Sequence, residues 1–300
     1  VVLSEGVHPH YADIDAYWAT AAAVDEAVRK AVGTGARLDH MAGLDNYCWP
    51  DPVQSDITPD GQHKLAQLVR SATALAKACE TYGVPCISGK DSMKNDSMMG
   101  GVKISIPPTL LFSVIAKIDD VTKAVSMDVK TVGAKVLLLG ATRDELGGSE
   151  YFRMLGAVGN AVPKVYFEET LPLYRAVQTA IENELLLSCH AVTRGGLAVA
   201  LARSAMAGRL GLVLDLDEDE RLRSLTTPAA LFSESTGRFV VTVDPSKIKQ
   251  LEAILPSGSH SLLGVTTPDA MVEVKHRGNK VLQTAVDTLV HAFQETFHAI

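Results

Sequence analysis

The sequence predicts an α+β fold in two domains, on three observations. Apolar runs at helical spacing alternate with short β-type runs, the order has no barrel-like period, and the pattern breaks between residues 120 and 132. A chain of 300 residues can bury a sizeable core and is long enough for two domains. The division is expected at 1–125 and 126–300, each half a sheet covered by helices.

In the first half, Asp15 to Val32 is Ala-rich, with Val24, Ala27, Val28 and Ala31 on one helical face and Gly33 and Gly35 as stops. Gly43 to Pro52 reads as a polar turn carrying rigid aromatics. Residues 61–82 read as a helix whose apolar face holds Leu65, Leu68, Ala72, Leu75, Ala76 and Cys79, ended by Gly83. Val84 to Ile87 reads as a short buried strand, followed at once by a polar insert from Ser88 to Asp96. Thr109 to Ile118 is a longer β-type run.

The second half opens with the strand Lys135 to Gly140 and a polar turn over 142–150. Helices are expected over 168–187, 197–206 and 247–255, and a closing helix from Val281 to Ala299. Strands are expected at 212–216 and 239–243, with edge-like strands at 260–265 and 270–274.

Lys and Arg total 28 against 35 Asp and Glu, a net charge of -7, which argues against nonspecific nucleic-acid binding. The four cysteines, Cys48, Cys79, Cys86 and Cys189, lack CxxC spacing and read as free thiols of a reducing cytosol. The polar N-terminus reads as lacking a signal peptide. No apolar segment reaches the roughly 20 residues that span a bilayer.

The insert carries the chemistry most directly. Lys90 and Lys94 offer ammonium groups to phosphate oxygens, and Asp91 and Asp96 offer oxygen ligands to magnesium. A P-loop is excluded because the GxxxxGK[ST] spacing is absent. A solvated loop accounts for the same charges. Gly147-Gly148 and Arg194-Gly195-Gly196 let backbone amides approach a ligand or open a helix, and ordinary turn and cap chemistry explains them equally. His190 fits phosphate contact, proton transfer or a structural hydrogen bond. Glu26 and Lys30 stand four apart on one helix, as an ion pair or facing a ligand cleft.

Taken in order, these segments resemble phosphoribosylformylglycinamidine synthase, of the superfamily that includes aminoimidazole ribonucleotide synthetase. The resemblance rests on Tyr17–Gly33, Gly43–Pro52, Gly83–Asp96, Leu139–Tyr151, His190–Gly208 and Leu231–Val243. It matches the C-terminal half of the synthetase region and implies a two-domain aminoimidazole ribonucleotide synthetase-like architecture with an incomplete N-terminal domain. It also implies ATP-dependent amidation of formylglycinamide ribonucleotide in the cytoplasm. The ammonia would come from a glutaminase domain or subunit, and a missing synthetase half or homo-oligomeric mate would complete the site.

By that resemblance Asn46, Ser88, Gly89, Lys90, Asp91, Ser92, Asn95, Gly147, Gly148, His190, Gly195 and Gly196 are expected to bind substrate or nucleotide. Glu26 and Asp91 are expected remnants of a magnesium site. Lys30 stands where the family has asparagine, Arg194 where it has the turn aspartate, and Ala191 where it has an earlier aspartate. Two cations near a divalent ion are costly unless more carboxylates compensate. Either Lys30 and Arg194 contact phosphates directly in place of the metal or, as the favoured expectation, they mark a degenerate pseudo-site. A non-catalytic structural or regulatory half with such a site is the alternative to catalysis. A related ATP-using synthetase with another acceptor is a further alternative, against which the Trp49-Pro-Asp turn speaks.

Overall fold

The computed structural model describes residues 1–295. In chain order the strands are β1 (Val2–Val7), β2 (Met41–Cys48), β3 (Cys86–Ser92), β4 (Asp96–Met99), β5 (Val102–Ser105), β6 (Thr109–Ala116), β7 (Lys135–Leu139), β8 (Ser188–Ala191), β9 (Gly211–Asp215), β10 (Phe239–Val243), β11 (His260–Thr267), β12 (Met271–His276) and β13 (Asn279–Ala285). The helices are α1 (Pro9–Ala12), α2 (Ala16–Thr34), α3 (Gly61–Tyr82), α4 (Glu150–Met154), α5 (Phe167–Glu182), α6 (Gly196–Gly208), α7 (Glu220–Ser224), α8 (Thr227–Phe232), α9 (Ile248–Ile254) and α10 (Val286–Glu295). The expected α+β class with mixed sheets and helices is what the chain adopts. No helix among the described residues is long and apolar enough to cross a membrane.

The chain divides into two compact units. The first holds residues 1–32, 36–119 and 145–171, and the second holds 33–35, 120–144 and 172–300. The segment with Gly147 and Gly148 thus groups with the first unit, and the division falls inside α5 ahead of Pro172.

The first unit is built on a sheet of order β1-β6-β2-β3, antiparallel except for the parallel pair β2/β3. Side chains alternate across a strand, so the register sorts them into two faces. Val2, Gly6, Phe112, Val114, Met41, Gly43 and Tyr47 lie on the buried face. At Gly6 a Cβ would meet the Ala23 carbonyl oxygen at 2.1 Å, so glycine lets α2 lie directly on β1. The opposite face keeps Leu3, Leu44 and Ile115 exposed, at 75, 37 and 46 %. A two-residue turn at Gly100-Gly101, both at positive φ, closes the hairpin β4/β5.

Several sequence expectations change here. Val84–Ile87 is not a buried strand: Val84 is buried, but Cys86 and Ile87 are exposed, and the strand runs through the polar insert to Ser92. The polar turn at 43–52 is largely β2. On α3, Leu65, Ala72 and Ala76 are exposed, while Lys64, Ser71, Ala74, Ala78 and Tyr82 are buried.

The second unit holds a sheet of order β13-β12-β9-β11-β7-β10-β8. Its core packs Val136, Leu138, Val240, Leu212 and Leu214 against Leu197 and Leu201 of α6. The strands at 260–267 and 271–276 are interior, not edge-like, since β11 lies between β9 and β7 and β12 between β13 and β9. The closing helix starts at Val286 rather than Val281: a turn at Arg277-Gly278, both at positive φ, folds 279–285 back on β12 as a strand. Residues 296–299 of that expected helix lie outside the described residues.

Candidate functional site

The first unit brings six of the twelve expected binding residues to β2 and its parallel neighbour β3. Register pairs Leu44 with Ser88, Asp45 with Gly89, Asn46 with Lys90, Tyr47 with Asp91 and Cys48 with Ser92. Alternation therefore splits the insert. Ser88, Lys90 and Ser92 share the open face with Asn46, while Gly89 and Asp91, themselves exposed on the edge strand, lie on the face of Asp45 and Tyr47.

On the open face Lys90 Nζ stands 3.7 Å from Cys48 Sγ. Beyond β3 the chain is held by Asn95, whose Nδ2 donates to the Ser92 carbonyl at 2.8 Å, while Ser92 Oγ donates to Asn95 Oδ1 at 3.0 Å. Asn95 thus shapes the turn that Ser92 enters. Asp96 accepts from the Asp51 amide at 3.0 Å and lies 3.4 Å from Lys103, so it fixes the Trp49–Asp51 segment.

On the covered face, an added Cβ at Gly89 would meet Asp45 Oδ1 at 2.8 Å. Glycine lets that carboxylate lie against the β3 backbone. The Tyr47 hydroxyl accepts from Ser71 Oγ at 3.1 Å, and Ser71 Oγ lies 2.5 Å from Thr20 Oγ1. Burial pushes the Tyr47 phenol up to about 12, and the charges of Asp45 and Asp91 add to it. Tyr47 therefore stays protonated near neutral pH and serves as an anchor.

Glu26 and Lys30 sit on α2. Glu26 is 5 % exposed, with Oε2 2.6 Å from His8 Nε2 and Oε1 2.6 Å from Lys30 Nζ. Burial alone would raise this carboxyl, but His8 and Lys30 outweigh it and hold the group well below the usual carboxylate range. Lys30 also donates to the Glu5 carbonyl at 2.9 Å, and the His8 ring stacks on Tyr11 at 4.4 Å. Magnesium does not fit this arrangement. Both Glu26 oxygens face cationic or imidazole nitrogen, and no group of three or more His, Cys, Asp or Glu able to hold a metal occurs among the described residues.

Gly147 and Gly148 belong to a packed loop. Their amides donate to the Ala161 and Val158 carbonyls at 2.9 and 2.8 Å. At Gly148, with φ +69, a Cβ would lie 2.9 Å from the His10 carbonyl oxygen.

In the second unit, β8 delivers His190 and the following turn delivers Arg194, Gly195 and Gly196. His190 Nδ1 is 3.1 Å from both the Ala200 carbonyl and Ser204 Oγ, which ties β8 to α6. Arg194 is exposed. The Gly195 amide donates to Glu234 Oε1 at 2.7 Å and the Gly196 amide to the Thr193 carbonyl at 3.0 Å. A carboxylate thus takes the place at the α6 N-terminus that an incoming phosphate would use. Gly196 packs so tightly that a Cβ would meet the Ser233 carbonyl oxygen at 2.6 Å.

Sequence reasoning missed His8, Asp45, Glu234 and Arg238 as site residues. Arg238 is fully buried, donating through Nε to the Ser235 carbonyl at 2.8 Å and through Nη1 to Thr142 Oγ1 at 2.9 Å. A signal exists for Glu234 and Arg238, since both lie in the Leu231–Val243 segment that carries part of the resemblance.

The family pattern described as "AIR synthase related protein, C-terminal domain" matches residues 131–277. Phosphoribosylformylglycinamidine synthase subunit PurL of Thermoanaerobacter sp. (strain X514) is 32% identical over 252 residues, covering 84% of this chain and 32% of the relative. PurL of Methanocaldococcus jannaschii is 29% identical over 99% of this chain and 39% of its own length. The chain spans about a third of the length of these curated relatives. Among solved structures, T. maritima PurL complexed with FGAR superposes with a TM-score of 0.74 at 20% identity, over 96% of this chain and 45% of the other. E. coli HypE, a hydrogenase maturation protein, superposes at 0.66 and 15% identity, over 93% of this chain and 83% of the other.

Proposed function

Because the chain carries an AIR synthase related C-terminal domain and is a relative of phosphoribosylformylglycinamidine synthase subunit PurL, we propose that it is one part of such a synthase. In this reading the whole enzyme converts formylglycinamide ribonucleotide, ATP and glutamine-derived ammonia to the amidine, ADP and phosphate in purine biosynthesis. The cytoplasm is the place this assigns it.

One observation carries the reading. Asn46, Ser88 and Lys90 share the open face of the β1-β6-β2-β3 sheet with exposed Leu3, Leu44 and Ile115. A small anionic ligand needs a cation and hydrogen-bonding groups beside a surface that excludes water once covered. An apolar sheet face interleaved with such groups suits a mate domain that closes over the ligand. The mate would be a second synthetase half or another copy of this chain, and a glutaminase would supply ammonia. ATP, and magnesium with it, would act in the completed enzyme, where the mate and the substrate phosphates would supply ligands that Glu26, engaged by His8 and Lys30, does not.

The test is reconstitution with a synthetase mate and a glutaminase, assayed for ATP- and glutamine-dependent turnover of formylglycinamide ribonucleotide. Turnover that Lys90→Ala removes is expected. A correctly assembled complex with no turnover defeats the reading.

The engagement of Glu26 by His8 and Lys30 favours a second reading for the α2 region. There the chain holds a degenerate nucleotide pseudo-site and contributes structure or regulation. Calorimetry with ATP, with and without magnesium, separates the two: magnesium-dependent micromolar binding to the isolated chain counts against degeneration.

A further inference from the structure

We propose that Cys79 and Cys86 are a reversible disulfide-forming pair, oxidised by a low-molecular-weight disulfide such as oxidised glutathione, at the foot of the strand that carries Ser88 to Ser92. The inference does not depend on what that strand binds.

The two sulfurs stand 3.8 Å apart. A disulfide needs about 2.05 Å, so bonding requires the two sulfurs to close the remaining gap. The backbone on both sides of the pair is fixed. Cys79 lies in the last turn of α3, and its carbonyl accepts from the amides of Gly83 and Val84 in a left-handed cap with Gly83 at φ 69. Cys86 opens β3 in register with Gly43, whose amide donates to the Pro85 carbonyl at 2.8 Å. The sulfurs are therefore presented to each other by structure, and they do not meet by chance motion of a loop.

Access supplies the order of events. Cys86 is exposed and Cys79 half-buried, whereas Cys189 is buried in the second unit. The Cys86 thiolate attacks one sulfur of oxidised glutathione and releases a glutathione thiolate. The Cys79 thiolate then attacks the Cys86 sulfur and expels the second glutathione thiolate. One disulfide forms as one is reduced, and the two protein thiol protons end on two glutathione molecules. Burial, with Cys86 adjacent, pushes the Cys79 thiol up to about 12, and burial also raises Cys86. Both shifts oppose thiolate formation, so the rate should climb about tenfold per pH unit through the neutral range, since only the thiolate attacks.

The experiment treats the reduced chain with excess oxidised glutathione, then alkylates the remaining thiols and maps the peptides by mass. The expected product is a Cys79–Cys86 link in each chain, with Cys48 and Cys189 still alkylated, reversed by dithiothreitol. The Cys79→Ser chain should stop at a stable glutathione adduct on Cys86. A persistent adduct on Cys86 in the unsubstituted chain, a link from Cys86 to Cys48 or to another chain, or an unreacted Cys86 overturns the proposal. Because these outcomes are read on the unsubstituted chain, they decide the matter even where a variant folds poorly.

Discussion

The Glu26 carboxylate lies 2.6 Å from Lys30 Nζ and, through its other oxygen, 2.6 Å from His8 Nε2. The two contacts differ in environment. His8 and Glu26 are each about 6 % exposed at the side chain, while Lys30 is 34 % exposed. A solvent-facing pair contributes little, whereas a buried carboxylate that loses its partner bears the full desolvation cost. His8→Ala should therefore cost about 2–3 kcal/mol, including the lost stack on Tyr11, and Lys30→Ala about 0.5 kcal/mol. Urea unfolding of both variants checks the order, and equal losses would contradict it.

A second buried pair lies beside Glu26 and Lys30 on the same helix, offset by a single residue. Arg29 Nε is 3.2 Å from Asp25 Oδ2, with both side chains almost wholly buried, and Tyr82 donates its hydroxyl to Asp25 Oδ1 at 2.7 Å. Arg29→Met leaves a buried carboxylate short of a cation and should cost about 3–5 kcal/mol. Tyr82→Phe removes one hydrogen bond to a charged group and should cost about 1.5–3 kcal/mol. Chemical denaturation of the two variants reads this directly, and a neutral Arg29→Met would mean that other groups already satisfy Asp25.

These networks show where the sequence is legible and where it is not. Fold class and most elements of the second unit can be read because strands such as 239–243 are continuous apolar runs between clear breaks. On α3, hydrophobicity is a poor guide to burial. Ser71 is buried because it meets Thr20 and Tyr47, and Lys64 because it reaches Asp60 and Ser105. Those partners, apart from Asp60, are remote in sequence, so no local pattern announces them. The same limit hides His8 from Glu26 and Glu234 from Gly195. The insert's composition marks Ser88 to Ser92 as unusual, but only β3 pairing reveals that its residues point to two faces.

The contrast between exposed Lys90 and tightly packed Gly148 predicts separable effects at the two positions. Lys90 is exposed on the open face, so Lys90→Ala should leave stability within about 0.5 kcal/mol. If the proposed synthase reading holds, its loss should weaken anionic substrate in the complex at least about tenfold, as expected for a charge-assisted contact. Gly148→Ala should do the reverse. Its φ of +69 and the 2.9 Å approach to the His10 carbonyl oxygen should cost about 1–3 kcal/mol of stability. Thermal melts of the chain and substrate titration of the complex distinguish them.

Asp219 makes the acid limb of stability testable in the second unit. Its carboxylate caps α7 by accepting from the Arg221 amide at 2.7 Å, pairs with the Arg221 guanidinium at 2.6 Å, and accepts from the Ser261 hydroxyl. Burial would raise the group, yet Arg221 and Ser261 outweigh it and set it at about 2. A depressed carboxyl contributes stability that is complete above its unfolded value near 3.9 and disappears as pH falls through the folded value. Because Arg221 is half exposed at 47 %, screening reduces the contribution to the order of 1 kcal/mol. Asp219→Asn should thus lower the urea midpoint at about pH 6, and the difference should close as pH falls through about 2, where the Asp219 carboxyl takes up its proton. A gap between the two chains that persists unchanged to the acid end would show that shape at the α7 cap, rather than charge, accounts for the stabilisation.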